Sequence, residues 1–323
     1  MFGTMPESVW ITFQMTFAII TPALIIGAFV ERMKFSAILI FTSIWFAFSY
    51  LPIWHMAWGG GLFSGGDDGN WLMGKGQGAI DFAGGTVVHI NAGIAALVGC
   101  LCLRKRKKVS QPHNVPFVVI GASLLWVGWF GFNAGSAGSS GDGAGMAMLV
   151  TQVATAVAAF SWMLVEWCVK GKATAVGIAT GAVAGLVAIT PASGNVGPLG
   201  AIIIGIGAGV ICYFAATKVK SQFGYDDSLD VFGVHAVGGI VGCIFVGFCA
   251  YPNLQGFGGD ELGAGTQVMI QAKSCILTVV WSAVVAFVAI QIAKVLCGGL
   301  EVDDEGEDTG LDVIDHGEEG YSL

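Results

Sequence analysis

The chain has 323 residues, 55% of them hydrophobic and 11% charged, with a mean hydropathy of +0.76. That composition excludes an ordinary water-soluble domain, and the net charge of -8 misleads as a property of the whole protein, because ten of the 22 acidic residues lie in the last 23 positions. What remains is an all-α, polytopic membrane protein.

A helix needs about 20 residues to cross a bilayer. Apolar runs of that order recur at 9–30, 35–58, 81–103, 115–138, 145–169, 173–194, 197–217, 230–250 and 267–296, which predicts nine spans. Met1 to Ser8 carries no cation and the run after it is too long for a cleavable signal peptide. Cations follow the first span (Arg32, Lys34), the third (Arg104 to Lys108), the fifth (Lys170, Lys172) and the seventh (Lys218, Lys220). The intervening loops hold Lys75 with Asp67, Asp68, Asp142, Asp260 and Glu261. By the positive-inside rule the N-terminus is outside and the C-terminus cytoplasmic, which suits an inner or plasma membrane.

In the first span Phe13 and Phe17 are four apart, with Gln14 beside them. Trp58 closes the second span on the outer side, and in the fourth Trp129, Phe132 and Ser136 share a helical face. On spacing alone the aromatic stripe is packing, Trp58 is an interface anchor or a cation-binding ring face, and Ser136 in AGSAG serves close helix packing. Asp81 opens the third span and reads as an N-cap. Loop 59–80 is long and has no assigned role. Runs such as GAVAG (181–185) and GIGAG (205–209) are helix-packing surfaces rather than nucleotide loops, because no βα pattern surrounds them. The eight cysteines lack metal spacing and serve as small packing residues. The chain divides into a transmembrane domain over 1–298 and a polar tail over 299–323, which carries ten of the 22 acidic residues.

The third span contains VHINAGIAALVGC and the eighth VHAVGGIVGC, sharing VHxx(A/G)GI around His89 and His235. Each histidine follows an aspartate by eight residues, Asp81 and Asp227. The two spans run in opposite directions, so the repeat is inverted, a construction that places transport paths near the midplane. At about 1.5 Å per residue both imidazoles reach the apolar middle. An ionisable group there is a functional candidate; a pair of core histidines bonded to carbonyls is the alternative.

These residues resemble the ammonium transporter family, the bacterial Amt type related to Mep and Rh proteins. The matching stretches are ERMKFSAILIF, HMAWGGG, DFAGGTVVHINAG, GWFGFNAGSAG, DVFGVHAVGGIVG and the tail GLDVIDHGEEGY. The resemblance implies an ammonium recruitment site at Trp58, Phe17 and Ser136, and a pore gate at Phe17 and Phe132. It also implies twin pore histidines at His89 and His235, with Asp81, Trp129, Phe13 and Gln14 in support. It further implies a homotrimer with one pore per subunit, ammonium, ammonia or methylammonium as substrate, no cofactor, and a PII-type signal protein as cytoplasmic partner. Members of this type usually have eleven spans, and this chain begins where the third would.

The chemistry suits imidazole. A bare cation in hydrocarbon costs on the order of 20 kcal/mol by an idealised Born argument. Ammonium can instead lose its proton for about 3 kcal/mol, at 1.36 per pKa unit, and neutral ammonia crosses more cheaply. Two rival readings are weighed beside transport: haem ligation by facing histidines, and an ammonium sensor signalling through the tail and a partner.

Overall fold

The computed structural model describes residues 5–65, 70–109, 111–257 and 263–320. Asp67, Asp68, Asp260, Glu261 and Tyr321 of the tail motif lie outside the described residues. Among those described there is no strand, only an isolated bridge between Met33 and Glu301.

Among the described residues nine apolar helices follow one another: α1 Glu7–Ile26, α2 Phe35–Trp58, α3 Gly85–Cys102, α4 Val115–Gly135, α5 Asp142–Lys170, α6 Ala175–Ile189, α7 Pro198–Phe223, α8 Phe232–Cys249 and α9 Ala264–Leu296. Eight of these are long and apolar enough to cross a membrane, and the chain is a polytopic helical protein of the expected class. The ninth, α6, differs from expectation. A span over 173–194 is predicted, but the helix has 15 residues. It stops before Pro191, which cannot donate to the helix and clashes with the preceding turn, and Gly194 and Gly197 follow in the connection to α7. Most of α6 is buried against α5, α7, α4 and α8, so it does not need the length of a lipid-facing helix.

The third span also starts later than predicted. Residues 81–84 form a turn, and α3 begins at Gly85 with a wide π turn through Ile90. The α8 helix begins the same way, with a π turn over Phe232–Ala236. Wide turns of this kind are rare and recur at functional sites. Helix α3 is the innermost element, with 78% of its most apolar window buried, against 6% for α4 and 17% for α1.

Helices α3 and α8 cross closely, and two glycines permit it. A methyl group on Gly93 would stand 2.3 Å from the Ala236 amide nitrogen, and one on Gly239 would stand 2.9 Å from Ile90 Cγ1 and 3.1 Å from the Gly85 carbonyl oxygen. Each glycine lies four residues after its histidine, one turn along the same face. The α9 helix packs along α2, α3 and α8, and α3 is tied to both outer neighbours at Asn91. The Asn91 side chain accepts from Ser49 of α2 at 2.7 Å, and its main-chain oxygen accepts from Ser282 of α9 at 2.7 Å.

The tail folds back on the loop after α3. A short helix, α10 (Asp304–Thr309), is capped by Asp303. Arg104 reaches Glu301 at 3.5 Å and Asp304 at 3.6 Å and pairs with Glu307, while Lys107 reaches Asp304 and Asp308 at 3.3 Å. These acids raise the Arg104 pKa against the lowering effect of burial. Exposed pairs are individually weak and screened by salt, but Arg104 holds three at once. Arg104→Ala should therefore release the tail: hydrogen exchange over 303–317 should rise at least tenfold while α3 stays protected, and high salt should act in the same direction.

Candidate functional site

A column of rings runs from the end of α2 to the α3/α8 crossing. Trp58 meets Phe17 edge-on at 5.5 Å between centroids, and Phe17 meets Phe132 at 4.5 Å. Phe132 lies 5.2 Å from Trp129 and 6.2 Å from His89. Trp129 stacks on His89 at 5.3 Å and 14°, and His89 stacks on His235 at 5.3 Å and 20°. Five elements thus meet in one line, since Phe17 comes from α1, Trp58 from α2, His89 from α3, Trp129 and Phe132 from α4, and His235 from α8. Phe13 backs Phe17 edge-on at 5.0 Å.

The histidines are 146 residues apart in sequence, yet their Nδ1 atoms stand 3.2 Å apart. Both are buried, and His89 Nε2 is buried without a hydrogen bond. A bond between two Nδ1 atoms needs one proton: one ring donates and the other accepts. With both rings neutral, the donor then carries a bare Nε2 and the acceptor an Nε2–H. The pair therefore offers one acceptor edge and one donor edge, which is what a small molecule able to do both requires. The predicted alternative, histidines bonded to neighbouring carbonyls, does not describe this contact.

The surrounding groups are fixed by hydrogen bonds. Asp81 Oδ1 accepts from the Gly84 and Gly85 amides at 2.9 and 2.5 Å, and Oδ2 from the Thr86 amide at 2.8 Å and from the Thr86 hydroxyl. Gly84 has φ +117°, a conformation open to glycine at little cost. Asp81 therefore caps the first amides of α3 from three residues before the N-cap position, Gly84, and its carbonyl also accepts from Trp58 Nε1 at 2.7 Å, which orients the outermost ring of the column. Trp129 Nε1 donates to the Thr190 hydroxyl at 2.8 Å, at the end of α6.

Two predicted residues are engaged elsewhere. Gln14 accepts from Trp54 Nε1 at 3.1 Å and ties α1 to α2. The Ser136 hydroxyl donates to the Phe132 carbonyl at 2.8 Å within its own helix end, and no ring contact with Trp58 involves it. Thr190, Asn91 and Thr86 are residues that the motif reading passes over. Asn91 lies inside VHINAG and Thr86 inside DFAGGTVVH, so their place in the motifs was the available signal. Thr190 is marked only by the Pro191 that ends its helix. Among the described residues, no group of three or more metal-ligating side chains is clustered to hold an ion.

Comparisons with known proteins identify the family. A family model described as the Ammonium Transporter Family matches residues 1–321. The chain is 50% identical over 319 residues to an ammonium transporter of Aquifex aeolicus, covering 98% of this chain and 72% of that protein. A solved structure described as a Sensor Amt Protein superposes with a TM-score of 0.84 at 32% identity, covering 94% of this chain and 75% of that one. Candida albicans Mep2 superposes with a TM-score of 0.81 at 33% identity, covering 94% and 68%. With the family model matching nearly its whole length and a relative half identical to it, this chain belongs to the ammonium transporter family.

Proposed function

We propose that this protein carries ammonium across the membrane, recruiting the cation at the outer end of the ring column, removing its proton and passing ammonia along the paired histidines. The observation that supports this most directly is the unbroken column from Trp58 to His235. Trp58 and Phe17 offer ring faces to a cation. Phe17 and Phe132 are in contact and bar a hydrated ion, so what passes must shed water. Beyond them the histidine edges replace two of the hydrogen bonds that ammonia gives up. On this reading the protein is not an enzyme and needs no cofactor, and methylammonium is a second substrate. The N-terminus lies outside and the C-terminus in the cytoplasm. Three copies assemble, each with its own pore, the span domain is 1–298, and the acidic tail 299–323 meets a PII-type protein.

The test is ammonium flux into proteoliposomes, with potassium as the control cation. Flux of ammonium without potassium supports the reading, and equal flux of both removes it. Trp58→Leu should raise the half-saturating ammonium concentration about tenfold, since a cation–π contact is worth about 1 to 2 kcal/mol and 1.36 kcal/mol corresponds to a factor of ten. No shift would leave Trp58 as an interface anchor. A second reading, a sensor, draws support from the likeness to the Sensor Amt Protein and from the docked tail. Ammonium binding without flux favours it.

A further inference from the structure

The two halves of the inverted repeat match down to single hydrogen bonds. Asp81 Oδ2 accepts from the amide five residues on, Thr86, at 2.8 Å, and Asp227 Oδ2 accepts from the amide five residues on, Phe232, at 2.7 Å. The residue three past each aspartate has positive φ, +117° at Gly84 and +59° at Asp230. Each histidine then stands three residues beyond the capped amide.

The caps differ at the other oxygen. Asp81 is saturated: Gly84 and Gly85 fill Oδ1 while Thr86 supplies both amide and hydroxyl to Oδ2. Asp227 is fully buried and its Oδ1 has no hydrogen bond, whereas the corresponding oxygen of Asp81 is filled by the Gly84 and Gly85 amides. Asp230 occupies the glycine position in left-handed backbone, and its carboxylate is taken by Lys220 at 2.7 Å. Tyr225, in the same loop, has a buried hydroxyl that is also without a partner. Donors on both oxygens of a carboxylate favour its anion. One buried with an open oxygen can take a proton there without losing its cap.

Resting on the reading of the histidine pair as the pore, we propose that Asp227 is a positioning residue for His235. It takes up a proton from the side of the protein opposite Trp58, and its protonation state alters the hydrogen bond between the two histidines. The step is a simple uptake: a proton from water adds to Oδ1, the carboxylate charge is lost, and Oδ2 keeps the Phe232 amide. That charge sits at the N-terminus of α8, where an anion is favoured by the helix dipole. His235 is three residues beyond the capped Phe232 amide, about 4.5 Å along the helix axis.

The charged and titratable groups around Asp227 leave its carboxylate unpaired. Arg32, from the α1/α2 connection, is committed to Asp226 at 3.4 Å, to the Asp226 carbonyl at 2.5 Å and to Ser228 at 3.0 Å. Lys220 of α7 donates to the Asp227 main-chain oxygen at 2.6 Å and to Asp230, not to the Asp227 carboxylate. Cys100 of α3 and Tyr225 are the remaining titratable neighbours, and Asp226 is held below the usual carboxylate range by Arg106 and Arg32 against the effect of burial. Burial pushes the Asp227 carboxyl up to about 6; Asp230 adds to the rise, and the Phe232 and Val231 amides and Lys220 oppose it.

The test is NMR of the full chain in lipid vesicles with nitrogen-15-labelled histidine, titrated between about pH 5 and pH 8. His89 and His235 are identified by coupling across their shared bond. In the wild type their ring nitrogens should shift in a step centred near pH 6, and Asp227→Asn, whose amide oxygen still accepts from Phe232, should lose that step. A step that persists in Asp227→Asn overturns the proposal, as does a wild type without one. A purely structural cap would leave the step in place. Should Asp227→Asn fail to fold, the infrared band of a protonated carboxyl in aspartate-labelled wild type decides: the same midpoint as the histidine step supports the proposal, and no band overturns it. Ammonium flux is measured in the same vesicles. Absent flux with the step present strikes at the transport reading and supports this one.

Discussion

His89→Ala should lower ammonium flux at least a hundredfold, or, where flux persists, let potassium through with it. The alanine removes the ring that stacks on Trp129 and on His235 and takes away the partner 3.2 Å from His235 Nδ1. The path then keeps its apolar walls and loses one of its two hydrogen-bonding edges. A buried polar group that loses its partner costs about 1 to 3 kcal/mol, and on the proposed pathway ammonia would meet the same deficit as it passes. A hundredfold fall corresponds to about 2.7 kcal/mol at 1.36 per decade, which lies inside that range. His89→Gln tests the same point with less change of shape: it keeps a donor and an acceptor but cannot relay a proton between two ring nitrogens. Flux and selectivity unchanged in His89→Ala would leave the histidines as core residues, and the pore would have to be sought elsewhere.

Gly93→Ala should be strongly damaging at the α3/α8 crossing. Its methyl group would stand 2.3 Å from a backbone nitrogen of Ala236 and 2.7 Å from the Ala236 methyl. Backbone cannot swing aside as a long side chain can, so α3 and α8 must separate. Overpacking of this kind costs about 1 to 3 kcal/mol, occasionally more, and here the separation also opens the histidine contact one turn away. Thermal unfolding in detergent should show a clear loss of stability, and flux should fall with it. Gly121→Ala on α4 is the control. Nothing lies within 4 Å of a methyl group there, and alanine is the better helix former by about 1 kcal/mol, so it should be neutral or mildly stabilising. Equal effects of the two would mean that the crossing is not held by close approach.

Much of this was legible in the sequence because each signal was carried by single residues at fixed spacings. Hydropathy marks the spans, since lipid demands apolar length, and the shared VHxx(A/G)GI marks α3 and α8 as related. The eight-residue interval from aspartate to histidine marks the caps. The aromatic residues of α1, α2 and α4 were identified, but their order in the column was not, because it depends on which helix faces meet. Gly93 and Gly239 sit in the motif, yet their role shows only when the partner backbone is in place. The break after Ile189 was hidden because residues 190–194 continue a run that hydropathy alone cannot end. The tail was legible as acidic and polar but not as docked, since ion pairs between residues 200 positions apart leave no local pattern.

A hydrogen bond from Nδ1 to Nδ1 is symmetric in its atoms, so which ring donates is set only by where the proton lies. Suppose a proton enters at the bare Nε2 of the donor ring. The donor's Nδ1 proton then moves across to the other ring, and that ring's Nε2 proton leaves. Both rings end neutral, but the one that donated now accepts. The entry edge, formerly bare, is now protonated, and a second proton cannot follow the first until the pair has turned over. On the proposed reading of the pair as a proton path, the histidines would act as a turnstile that must be reset after every proton, and the slower of passage and reset would limit how often charge can cross.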